Sequence, residues 1–276
     1  YDLGHLFHRG QASGDAGTVG NVCVNDRKDR AYSSHPFTAT NGSNGIFLND
    51  YFDLDFVLHE VGHQFGATHT YAYDPEPFGV SSEPGSGSTI MSYAGFVSGE
   101  NMQRHSDPYF HYHSIQDVES YVDNVSCHSN INSLNQKPTV SAGKDFYIPK
   151  GTAYYLKANG FDSDNDNLTY CWEQLDSGQV DASNFGPDLL TGSINRSIPP
   201  SENEIRYIPN ISQILNGNLV SSNPTLFSSW ETVSNVERTL TWGVTVRDRS
   251  ELNPNGMGQI SQDVKKIFVS ATAGPF

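Results

Sequence analysis

The chain has 276 residues and carries 31 acidic against 16 basic side chains, a formal net charge of −15 at neutral pH. That balance argues against partners that are themselves anionic, so neither nucleic acid nor a membrane surface is expected. No apolar run approaches the length of a membrane span, and the length allows one large or two ordinary domains.

In chain order, residues 1–7 read as a strand, residues 17–24 as a second, short and glycine-rich one, 37–45 as a polar loop, and Ile46-Phe47-Leu48 as a third strand. A helix follows from about Asp53 to Phe65. Asp50 or Asp53 is placed to cap it, and Leu54, Val57, Leu58, Val61 and Phe65 recur at the spacing of a buried stripe. The run from His59 to His69 reads H-E-x-x-H-x-x-G-x-x-H. On a helix, His59 and His63 project from one face and can share a metal ion. Glu60 can reach a water on that ion without being a ligand. Gly66 can stop the helix, because glycine accepts the left-handed conformation, and the turned chain returns His69 as a third nitrogen. Three protein ligands and an open position describe a catalytic zinc, whereas a structural zinc is closed by four.

Residues 71–87 are rich in proline, glycine and serine and read as an irregular loop, leading to Ser88-Thr89-Ile90-Met91-Ser92-Tyr93. Residues 95–112 are irregular too. Ser114 is placed to cap a helix through about Tyr121. His105, His111 and His113 offer a second, less favoured metal site. Residues 128–137 are polar and read as a linker. Beyond them, short runs at Pro138–Val140, Phe146–Ile148, Tyr154–Leu156, Leu168–Trp172, Ile205–Ile208, Thr239–Val246 and Ile267–Val269 alternate with Gly, Asp and Asn turns, the spacing of a β-sandwich. Residues 199–234 read as loops around one strand and one short helix. The turn 162–166 alternates Asp162, Asp164 and Asp166, candidate ligands for calcium or simply a solvated acidic turn.

The zinc motif followed by the methionine turn at Met91 resembles the metzincin clan of zinc metallopeptidases, and the order of segments is most similar to its reprolysin (adamalysin)-like, bacterial secreted branch. The second half resembles the immunoglobulin-like modules that trail many exported bacterial proteins. The resemblance implies an α+β metzincin-like catalytic domain over 1–127, a linker at 128–137 and an all-β immunoglobulin-like sandwich over 138–276. It implies a secreted or cell-surface zinc endopeptidase, with His59, His63 and His69 as zinc ligands and Glu60 as general base and acid. Met91 would be the floor beneath the histidines. Tyr93 matches a tyrosine that approaches the zinc in astacins and serralysins, or it is a packed side chain. The substrate implied is a protein or peptide bound in extended form along an edge strand near residues 18–24, with Pro108–His111 lining a side-chain pocket. Adamalysins carry Asp directly after the third histidine and this chain has Thr70, which weakens the subfamily label. The family's catalytic domain begins with two strands and a helix before the strand matched by residues 1–7. A fragment is therefore expected, with that missing N-terminal segment as a further partner. The three cysteines fit no zinc knuckle. The resemblance pairs Cys23 with Cys127 and leaves Cys171 buried and unpaired; three free buried thiols are the alternative. A different class of function stands beside all this, a surface adhesion or binding protein whose zinc domain is inert.

Overall fold

A computed structural model describes residues 2–36, 50–127, 129, 134–248 and 257–273. The first half opens on a three-stranded sheet in the order β1-β3-β2, from β1 (His5–Arg9), β2 (Ser13–Asp15) and β3 (Ala31–His35). β3 is the central strand, parallel to β1 and antiparallel to β2, with Gly14 opposite Ser33. The edge strand is therefore β2, not the 17–24 stretch. Residues 17–24 form turns, with Gly17, Gly20 and Cys23 in left-handed conformations that no strand accommodates. The expected strand at 46–48 lies outside the described residues.

The motif helix is built of two kinds of turn. A π-helical stretch, Asp53–Leu58, runs directly into α1 (His59–Gln64). Neither expected aspartate cap is seen: Phe52, the residue before the π stretch, makes no side-chain cap bond, and Asp50 takes a hydrogen bond through its backbone carbonyl, from the N–H of Leu54. The stripe expected from a 3.6-residue period is not the buried one. Of its five members only Leu54 is buried, and Leu58 is 36% exposed. A π turn holds more residues per turn, so it rotates everything N-terminal to His59 away from that register. The face that packs inward carries Asp55, His59, Glu60, His63 and Gln64. Gln64 fixes the helix end to the sheet, accepting from His5 at 2.9 Å and donating to the Gly4 carbonyl at 3.1 Å.

α2 (Tyr112–Asp123) is capped by His111, whose ring accepts from the N–H of His113, rather than by Ser114. It is joined to the front of the chain by the Cys23–Cys127 disulfide, Cα–Cα 5.7 Å across 104 residues, while Cys171 is free and buried. In the chain-entropy account a loop of that size makes the bridge worth about 3–5 kcal/mol. A Cys23→Ser, Cys127→Ser double variant is expected to lose that much in denaturant unfolding, with a steeper slope because the unbridged denatured chain exposes more surface.

The second half contributes a four-stranded sheet in the order β5-β11-β10-β8, built from β5 (Phe146–Pro149), β8 (Leu168–Gln174), β10 (Arg238–Asp248) and β11 (Ile260–Ser270). β5 joins parallel and the others antiparallel. Two ribbons complete it: β4 (Thr139–Ser141) with β7 (Asn159–Phe161), and β6 (Tyr154–Lys157) with β9 (Ile205–Ile208). Alternate residues of these strands share one core around Trp172, Trp242, Leu156, Ile208 and Val244. Among the described residues of this half, β7 is the one strand without a sequence-based counterpart, and the short helix α3 (Ile211–Leu215) falls in the expected region.

The two halves are knit together. Ala72 and Met102 from the first half form a second core with Val180, Phe185, Ile194 and Trp230 from the second. Backbone bonds run from Val180 N–H to the Ala72 carbonyl (2.9 Å) and from Gly85 N–H to the Val180 carbonyl (2.8 Å). Glu173, fully buried on β8, accepts from the Tyr112 N–H at 2.7 Å and so receives the first free amide of α2. Among the described residues no helix is long and apolar enough to cross a membrane.

Candidate metal centre

His59, His63 and His69 come together as expected. Their Nε2 atoms lie 3.2 Å (His59–His63), 3.2 Å (His59–His69) and 3.0 Å (His63–His69) apart. Nitrogens 2.0–2.1 Å from a tetrahedral zinc would sit roughly 3.3–3.4 Å from one another, so the triad fits that ion closely. The tautomers fit as well. Each Nδ1 faces an acceptor: the Ile90 carbonyl for His59 (2.7 Å), the Ala67 carbonyl for His63 (2.8 Å) and the Glu76 carboxylate for His69 (2.8 Å). An acceptor at Nδ1 puts the proton there and leaves the Nε2 lone pair for a metal. Burial, with the neighbouring rings second, drives His59 well below the usual histidine range and brings His63 down to about 4. Both are therefore neutral and able to ligate at physiological pH.

The third ligand arrives because the chain reverses at Gly66, φ +95°. A side chain there would be strained and would strike the Tyr121 ring of α2. Thr68 is then held by Asp117 of α2 through its N–H and hydroxyl. Met91 is wholly buried, packs with Ala67 and Ile90 and lies against Gly62 of the motif helix, and the Thr70 N–H bonds the Met91 carbonyl at 3.1 Å.

Thr70 occupies the position where the resembled family carries aspartate, and a carboxylate is supplied from elsewhere. Glu83, fully buried, accepts from the hydroxyls of Thr70 (2.7 Å), Thr89 (2.5 Å) and Ser88 (3.1 Å) and from the N–H groups of Ser88 and Thr89. One carboxylate thus ties the segment after the third histidine to the turn that carries Met91. Sequence reasoning missed Glu83 and Glu76 because both lie in an irregular loop without spacing to mark them.

Glu60 lies 8% exposed against β2, so close that a Cβ on Gly14 would sit 2.3 Å from its Oε1. Burial pushes its carboxyl up to about 7. The negative charge of Asp15 adds to this, and a hydrogen bond from the Ala16 backbone opposes it. Cavities open on both sides. One of about 220 Å³ is lined by Ser13, Asp55, Phe56, Ser92 and Phe96; the other, about 370 Å³, by Asp15, Val19, Thr68, Glu76 and Phe78. His59, Glu60 and Tyr93 border both. The Tyr93 ring packs edge-on to His69 at 4.6 Å between centroids, and burial, then the charge of Glu76, pushes its phenol up to about 12.

Other expectations are corrected. Residues 108–111 do not line these cavities. Tyr109 is buried with its hydroxyl on Ser197 Oγ (2.7 Å), and His111 is 1% exposed beside Glu173. Both are drawn into the contact with the second half. His105 bonds Asp55 at 2.7 Å and stacks on Tyr51, apart from His111 and His113. Among the described residues the triad is the one group whose ligand atoms all lie within 4.8 Å of one another. Asp162, Asp164 and Asp166 form no such group: Asp164 turns to accept the Gln136 N–H at 2.6 Å.

Residues 1–121 match the model of the family described as metallo-peptidase family M12B, reprolysin-like. The matched stretch contains the triad, Glu60, Met91 and Tyr93, and it supports a metallopeptidase. No match was found among curated proteins or among solved structures.

Proposed function

We propose, with that family likeness as the premise, that the chain is a secreted zinc-dependent endopeptidase. The observation that carries the reading is the convergence of three Nε2 atoms within 3.2 Å, with a buried carboxylate on the next helical residue. Zinc held there supplies Lewis acidity and an acidified water. An extended peptide adds to the free edge of β2, whose other edge pairs with β3. Its scissile carbonyl then lies between the two cavities, each of which takes a flanking side chain. Glu60 accepts the proton of the attacking water and hands it to the leaving amine. Tyr93, kept protonated by its burial, donates a hydrogen bond to the developing oxyanion. The Cys23–Cys127 bridge fits an oxidising, extracellular compartment. In this reading the second half is an immunoglobulin-like sandwich. The core that the four-stranded sheet shares with the two ribbons supports that assignment.

Calcium is a second cofactor in this reading, at the turn 162–166. Asp162 is 6% exposed, and its Oδ2 and that of Asp166 are buried without a hydrogen-bond partner. A cation beside Asp162 and Asp166 would meet these two orphaned oxygens. No observation at the site favours an inert adhesion protein, which would have no use for Glu60.

The test is metal analysis of the purified chain together with cleavage of a peptide library. One zinc per chain and internal cleavage abolished by a chelator and restored by zinc are expected. Cleavage unaffected by the chelator would end the reading. The same analysis, after dialysis against calcium, reads the second ion.

A further inference from the structure

Two of the three histidines are held by the backbone and the third by a side chain. The carbonyls of Ile90 and Ala67 that receive the Nδ1 protons of His59 and His63 are fixed by the fold itself. His69 depends instead on Glu76, seven residues along the chain, through Oε2 at 2.8 Å. The other oxygen of Glu76 accepts the hydroxyl of Tyr71 at 2.5 Å, and Tyr71 is only 4% exposed. The bond is thus anchored at one end to a buried ring, although Glu76 itself is 42% exposed at the rim of the larger cavity.

The local sequence prepares this arrangement. Pro75 and Pro77 flank Glu76, and a residue before proline is confined to extended backbone. The Glu76 carbonyl accepts from Gly79 N–H at 3.1 Å, and Val80 N–H bonds the His69 carbonyl at 3.0 Å. The turn is therefore folded back onto the residue whose ring it holds. A carboxylate on the outer nitrogen of a ligating histidine fixes its tautomer, orients the ring and makes it a stronger donor.

We infer that Glu76, braced by Tyr71, is a positioning residue that holds His69 as the third ligand, so that the grip on the metal is set by a side chain at one corner only. This rests on the metal-centre reading above. The experiment measures zinc affinity of the full chain by competition with a chromophoric chelator, for the wild type, Glu76→Ala, Glu76→Gln and Tyr71→Phe. Glu76→Ala is expected to weaken zinc about 10–100-fold with an unchanged melting temperature of the metal-free protein. Glu76→Gln, whose amide oxygen still accepts from Nδ1, should recover part of that loss. Tyr71→Phe should weaken zinc in the same direction by less. Cobalt substitution gives a second readout, a changed visible spectrum in Glu76→Ala and a wild-type one in Glu76→Gln. Zinc affinity of Glu76→Ala within a factor of two of wild type would overturn the inference while leaving the metal centre intact. Should Glu76→Ala lose its metal-free fold, Glu76→Gln decides instead: recovery of affinity supports the inference and none overturns it. A wild type that binds no zinc would remove the metal-centre reading itself and this inference with it.

Discussion

A Glu60→Gln protein is expected to bind zinc as the wild type does and to lose about two to four orders of magnitude in turnover, the usual contribution of a positioned proton acceptor. Glutamine keeps the volume of a side chain packed against Gly14, so β2 stays where it is. What it removes is the capacity to take a proton. The pH profile provides an independent check. Burial, and then Asp15, hold the Glu60 carboxyl up at about 7. A proton acceptor works only when ionised, so kcat/KM of the wild type should fall as the pH drops through its pKa. A cation at the triad favours the carboxylate and moves this acid limb below 7. In Glu60→Gln that limb should vanish from the residual activity. Wild-type turnover by the variant on a quenched peptide would show that Glu60 is not the proton acceptor.

His63→Ala is expected to abolish both metal binding and activity, the largest effect of any single substitution at the centre. His63 is buried, 8% exposed, and its Nε2 is 3.0 Å from His69 and 3.2 Å from His59. Without it two ligands remain, one of them on the reversed chain beyond Gly66. Zinc affinity should drop by more than the 10–100-fold typical of outer-shell changes. The loss should also appear as stability. An ion present at a thousand times its dissociation constant adds about 4 kcal/mol to a fold that alone can bind it. Zinc should therefore raise the melting temperature of the wild type and leave that of His63→Ala unmoved. An equal zinc-dependent shift in both would place the ion elsewhere.

The sequence made the centre legible and its supports illegible, for a physical reason. A helix and its stop impose spacing, so His59, His63, Gly66 and His69 could be read as a pattern, and the strands of the second half as alternation. The carboxylates that serve the centre obey no period. Glu76 and Glu83 reach it from a loop whose path is set by tertiary contacts. A 3.6-residue period points to the wrong buried stripe on the helix because the π-helical stretch Asp53–Leu58 departs from that period. The edge strand was placed a few residues late. Gly14 and Ser13 carry no β signal of their own, and their pairing with Ser33 and Ser34 is dictated by β3. Tyr109 and His111 were assigned to the substrate because nothing in the first half alone reveals that the second half covers them.

Trp230 ties these observations together. It lies fully buried between Phe185 and the loop that carries Glu83, with its ring against Gly85. The front portion of the molecule thus borrows part of its interior from the rear. A designer who wished to graft the front portion onto a different partner would have to carry Trp230 and its neighbours along, since a cut between residues 127 and 138 would leave Ala72 and Met102 facing water. Exchange of the rear portion for another module is correspondingly closed to a chain built in this way.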